Sequence, residues 1–132
     1  MNLNKIETTF EGESAKGKVP IAAGVVKRKG TTTLTDKNAG WVGLWGLTTE
    51  KPEVGYLGTG LVMPKSAIKQ IKEDNVHILV LTQAELGRPV TYYAGAGWTL
   101  SNDFTTAESW SSYLTECAKR IAAPLAVHVL AK

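Results

Sequence analysis

The chain has 132 residues, of which 43% are hydrophobic and 20% charged. That length fits one domain and that balance fits a packed core, which excludes a disordered chain. Fifteen Lys and Arg against twelve Asp and Glu leave a net charge of +3, short of the clustered basic face that nucleic acid demands, and the single cysteine excludes both an internal disulfide and a four-thiolate zinc site.

The opening residues, Met1 to Glu7, are polar. They lack the run of roughly 7–15 apolar residues that drives secretion. No window reaches the ~18 apolar residues of a membrane helix. The given residues therefore read as a soluble chain, or as a stretch that begins after a natural N-terminus.

Short apolar runs bounded by Gly, Pro, Asn or Asp recur along the chain, the pattern of strands joined by turns. Leu3 to Phe10 alternates and is rich in Ile and Thr. Val19 to Val26 is an apolar run that ends at the charged turn Lys27-Arg28-Lys29-Gly30. Thr31 to Leu34 forms a short strand, and Asp36 to Gly40 a loop. In Trp41 to Leu47, Trp41, Gly43, Trp45 and Leu47 fall on one side and Val42, Leu44 and Gly46 on the other. Both sides are apolar, so this strand is expected to be covered on both faces.

Tyr56 to Met63 is the next strand, stopped by Pro64. Lys65 to Lys72 reads as a loop or a single helical turn. Val76 to Thr82 is dominated by β-branched residues and Leu. Pro89 to Ala94 is followed by Gly95-Ala96-Gly97-Trp98, and Leu125 to Leu130 closes the chain as a last strand.

One segment has helical period. Trp110, Tyr113, Leu114, Cys117 and Ile121 form an apolar stripe at spacings of three and four. Thr105 to Glu108 has the Thr-x-x-Glu capping-box pattern, and Lys119 and Arg120 suit the dipole of the last turn. Pro124 ends the element, which places a helix from about Thr106 to Ala122. The fold class that follows is mainly β: an antiparallel β-sandwich with one C-terminal helix packed on it. No strand–helix alternation calls for a parallel sheet.

Few motifs carry chemistry. Gly55-Tyr56-Leu57-Gly58-Thr59-Gly60 lacks the Gly-Lys-Ser/Thr ending and the following helix of a phosphate loop, and reads as a strand with close backbone approach. His77 and His128 are expected inside strands, with no carboxylate or second histidine at ligand spacing, so no metal site is expected. Cys117 lies on the helix stripe as a small buried hydrophobe. Glu50, Glu53, Glu73, Asp74, Glu85 and Asp103 are the carboxylates open to acid–base work, but most flank Lys or Pro in turns. The basic run Val25 to Gly30 has no interleaved aromatic residue and reads as a solvated turn. No cofactor is expected.

Aromatic residues are the strongest positive feature. Trp41, Trp45, Tyr56, Tyr92, Tyr93 and Trp98 lie in or just after strands. Rings that face a cleft stack on the C–H faces of sugars, while rings that face inward are core. Strand alternation sends Tyr92 and Tyr93 to opposite faces. Trp110 and Tyr113 belong to the helix stripe and to packing.

The stretches Gly55 to Pro64, His77 to Thr82, Val90 to Trp98, Ser101 to Phe104 and Trp110 to Val127, with Val19 to Lys27 and Trp41 to Trp45 upstream, resemble the C-terminal end of a family of bacterial proteins of unknown function. The resemblance implies a galactose-mutarotase-like β-supersandwich of several hundred residues, exported, and encoded near enzymes that break down pectin-like or uronic-acid polysaccharides. It brings no reaction and no catalytic residues. The present chain is far shorter and shows no export signal, so it is expected to be the C-terminal portion of such a protein, periplasmic or extracellular by that resemblance.

Two functional readings follow. In the first, the chain is a saccharide-binding or saccharide-processing sandwich, with Trp45, Tyr92 and Trp98 stacking on an oligosaccharide and Asp103 as a polar contact. In the second it is a structural domain whose sheet edge pairs with the remainder of the protein or with a second copy. Neither reading involves nucleic acid or a membrane. A stand-alone enzyme would need a nucleophile, a base and an orienting group together, and no such constellation is visible.

Overall fold

The structure is a computed structural model that describes residues 2–13 and 17–126. Within those residues eight strands and one helix form two antiparallel sheets. The strands are β1 (Leu3–Thr9), β2 (Lys18–Val26), β3 (Thr32–Asp36), β4 (Trp41–Leu47), β5 (Tyr56–Val62), β6 (Gln70–Glu73), β7 (His77–Glu85) and β8 (Pro89–Trp98), and the helix is α1 (Ala107–Ala122). One sheet has the order β1-β8-β5-β4-β3 and the other β2-β7-β6.

Cross-strand partners share a sheet face. Trp45 pairs with Gly58, Gly43 with Gly60, and Gly60 with Gly95, so these residues lie on the side covered by α1. Trp41, Trp45 and Val62 there meet Trp110, Leu114, Cys117 and Phe104. The other side carries Val42, Leu44 and Leu61, which pack on Ile78 and Val80 of the smaller sheet. The result is three layers: helix, five-stranded sheet, three-stranded sheet. It explains why β4 is apolar on both sides.

The glycines of β4, β5 and β8 are the reason the helix sits so close. A methyl group on Gly58 would lie 2.7 Å from Cδ2 and Cγ of Trp110, and one on Gly60 would lie 2.7 Å from Leu114. A methyl on Gly97 would collide with the Phe104 ring. The strands thus present bare backbone on which the Trp110 indole rests. Its Nε1 donates to the Thr59 carbonyl at 3.2 Å, which satisfies the buried indole N–H. The Gly55-to-Gly60 pattern is therefore a docking surface for a tryptophan within a strand.

Several boundaries differ from expectation. Residues 65–72 divide into a 3-10 turn (Lys65–Ala67) and strand β6. Of the four β6 residues only Ile71 turns inward, so a short charged edge strand shows little of the period-2 signal. Strand β8 runs on through Gly95-Ala96-Gly97 to Trp98, because Phe104 and Trp110 fill the space that side chains would otherwise occupy. The helix cap lies one residue later than expected. Thr106 Oγ1 accepts from the Ser109 amide at 3.1 Å and Ser109 Oγ accepts from the Thr106 amide at 3.2 Å, while Glu108 serves the dipole of the first turn. Of the expected strand Leu125 to Leu130, positions 127–130 lie outside the described residues, His128 among them.

Candidate functional site

Side chains with exposed rings gather where β4 ends, β5 begins and β8 ends. Gly55, at φ +81°, turns the chain into β5, a conformation that glycine adopts without strain. Tyr56 follows and pairs with Leu47. Its ring stacks on Trp45, centroids 6.2 Å apart and planes 11° from parallel. Trp45 is only 8% exposed, whereas Tyr56 is 45% exposed, so the buried indole forms a floor and the phenol an open surface.

Trp98 pairs with Leu57 and is 39% exposed. Its Nε1 donates to the Val54 carbonyl at 2.7 Å, which fixes the indole plane. The following 3-10 turn, Thr99–Ser101, is tied back by Thr99 Oγ1, which accepts from the Tyr56 amide at 2.9 Å. Ser101 Oγ lies 2.6 Å from the Trp98 carbonyl and 3.2 Å from Asp103 Oδ2. Tyr56 shares the α1 face with Trp45 and Gly58, whereas Trp98 shares the opposite face with Leu57, so the two rings stand at one end of the sheet on different faces.

Of the four residues proposed from sequence, Trp98 and Asp103 share that turn and Trp45 lies behind Tyr56. Tyr92 does not join them. It sits nearer the other end of β8 and packs against the core between the two sheets. Tyr93, on the opposite face, packs against the core under the helix. Tyr56 belongs to the aromatic set read from the sequence but not to the four proposed residues, and it is the ring that stacks on Trp45. Its signal lay in its place as the first residue of a strand directly after a turn glycine, where one strand neighbour is missing and the ring stays open.

A cavity of about 430 Å³ opens at the same end of the sheet, lined by Arg28, Lys29, Gly30, Leu47, Thr48, Thr49 and Glu50. Arg28 is not the solvated cation expected from its charged run. Its Nη2 donates to the Leu57 carbonyl at 2.9 Å, and its Nε is buried with no partner among the described residues. Burial lowers its pKa from the ordinary arginine value. Lys29 reaches Glu50 at 2.8 Å, with both side chains largely exposed.

His77 differs from expectation in having a carboxylate neighbour. Asp74 Oδ1 accepts from the amides of Val76 and His77 at 2.7 and 2.6 Å, and its Oδ2 lies 3.3 Å from His77 Nδ1. The Val76 amide, then that of His77, holds the Asp74 carboxyl below its usual range. This is the hydrogen bonding of a turn into β7. Among the described residues no group of three or more His, Cys, Asp or Glu is placed to hold a metal ion. Cys117 is buried under the helix, as its place on the stripe implied.

By its architecture the chain is a two-sheet antiparallel β-sandwich domain braced by a C-terminal helix. It belongs to the family described as "Domain of unknown function (DUF4861)", which matches residues 1–127. A relative, "Uncharacterized protein P7" of Formosa agariphila, is 27% identical over 96 residues, covering 68% of this chain and 23% of the relative. The chain thus spans less than a quarter of that relative's length. No solved structure matches the chain.

Proposed function

We propose that the chain is a saccharide-binding β-sandwich domain, part of a longer exported protein with a galactose-mutarotase-like supersandwich. The observation that carries the reading is that two half-exposed rings at one end of the sheet, Trp98 on one face and Tyr56 on the other, are each held in place. Tyr56 is backed by Trp45 at 6.2 Å, and Trp98 is pinned by its bond to Val54. Large exposed rings on a free surface lose conformational freedom on binding a ligand. Rings already fixed by packing and hydrogen bonds avoid much of that cost. Asp103 and the Thr99 hydroxyl, in the turn that follows Trp98, serve as polar contacts for sugar hydroxyls.

Tryptophan fluorescence during titration with neutral and acidic oligosaccharides tests this reading. Trp98→Ala is expected to weaken binding about tenfold or more, the loss of roughly 1.4 kcal/mol or above of stacking. Tyr92→Phe is expected to leave affinity unchanged. A full-length relative and this chain that both ignore every sugar tested would sink the proposal.

A second reading has its own support. The outer face of the three-stranded sheet carries Ala22 and Gly24 opposite Leu81 and Leu79, with Val26 60% exposed at the end of β2. No other described element packs over that face. An apolar strip of this kind fits a layer of the longer protein or a second copy. Pro20 lies within edge strand β2, where its missing N–H disfavours simple edge pairing, so face-to-face packing is the mode expected. Light scattering after size exclusion is expected to show a dimer that Val26→Lys dissolves. A monomer at all concentrations would remove the second-copy form of this reading.

A further inference from the structure

We propose that the cavity at Arg28 is an anion site that takes a carboxylate or sulfate group. The site rests on the cavity and not on the saccharide reading.

Guanidinium carries five N–H donors in a planar fork. Arg28 gives Nη2 to the Leu57 carbonyl, and its Nε has no partner among the described residues. No carboxylate pairs with Arg28 among the described residues. A half-buried cation without a counter-charge is costly, and an arriving anion relieves that cost. The one acidic group lining the cavity, Glu50, is engaged by Lys29 at 2.8 Å. That pair is exposed and weak, so Lys29 is free to exchange Glu50 for a ligand anion. Thr48 and Thr49 line the same wall, Thr48 fixed there by its amide and hydroxyl, which both donate to the Gly55 carbonyl at 2.9 Å.

The cavity lies at the same end of the sheet as the aromatic rings. Leu47 lines the cavity and is the cross-strand partner of Tyr56, and Arg28 bonds the carbonyl of Leu57, the residue paired with Trp98. The loop that carries Arg28 lies over Gly46, on the sheet face opposite the Tyr56 ring, so the anion site stands apart from that ring.

Titration of the whole chain with glucuronate, glucose and inorganic sulfate, followed by amide shifts in NMR, tests the site. Glucuronate and sulfate are expected to move the amides of Gly30, Thr48 and Thr49, and glucose is not. Arg28→Gln is expected to weaken both anions at least about tenfold, the loss of a charge-assisted bond. Glu50→Gln is expected to tighten both about twofold to fivefold by removing a competing carboxylate. Glu50 is exposed, so this variant keeps the test open if Arg28→Gln does not fold. Absence of anion-dependent shifts at these amides, or unchanged affinity in Glu50→Gln, overturns the subsite. Sulfate binding without any glucuronate response supports the anion site and counts against the saccharide reading. A fluorescence response to neutral sugars with no anion response does the reverse.

Discussion

Replacing Trp110 with alanine is expected to lower the unfolding free energy by about 3–5 kcal/mol, the range for deleting a large buried aromatic ring. Trp110 is fully buried and is the largest of the fully buried side chains. Its ring contacts Phe104 edge-on at 5.0 Å and stacks near Tyr113 at 5.5 Å. The strands beneath cannot fill the void, because the residues facing it are glycines with no side chain to move. Removal also leaves the Thr59 carbonyl without its indole donor. Denaturant titration is expected to show a lower midpoint with an unchanged slope, and melting is expected to fall by roughly 10 °C or more. A loss under about 1 kcal/mol would mean that α1 is not docked on the sheet as described.

Gly58→Ala carries the second large effect, and its sign is the informative part. In an ordinary strand, exchanging glycine for alanine gains about 0.5–1 kcal/mol of backbone entropy. At Gly58 the added methyl would stand 2.7 Å from two atoms of the Trp110 indole. Trp110 is wedged between Phe104, Tyr113 and the sheet, so it cannot step aside cheaply. A loss of about 1–3 kcal/mol is expected instead, the usual cost of overpacking. The same substitution made in Trp110→Ala is expected to be neutral or mildly stabilising. That cycle gives a coupling energy of about 1–3 kcal/mol. Additive effects would show that the glycine and the indole are not in contact. Both measurements concern the frame that holds Tyr56 and Trp98, because β5 and β8 supply the aromatic end as well as the glycine floor.

The sandwich class was legible because its cues are local. Two-residue alternation, Gly and Asp turns, and the three-and-four stripe from Trp110 to Ile121 each arise from backbone geometry within a few residues. The same local signal sent Tyr92 and Tyr93 to opposite faces and made Trp110 core. Strand β6 escaped because an edge strand with one inward side chain leaves almost no pattern. The extension of β8 escaped because glycine is a strand breaker by composition, and only the ring of Trp110 gives it a reason to be there. Trp45 and Trp98 could be chosen from sequence, but the contacts that hold them, with the Tyr56 ring and with the Val54 carbonyl, were not legible there.

What the order of residues determined by itself is most of the elements: antiparallel strands other than β6, one capped helix, and an apolar β4 covered on both sides. Periodicity fixes which way each side chain points relative to its own backbone. The tertiary structure alone decided which elements meet. It brought Tyr56 onto Trp45, separated Tyr92 from both, and turned Arg28 from a presumed surface charge into the half-buried wall of a cavity. Such contacts depend on strand order and register between segments distant in the chain, and no local spacing encodes them.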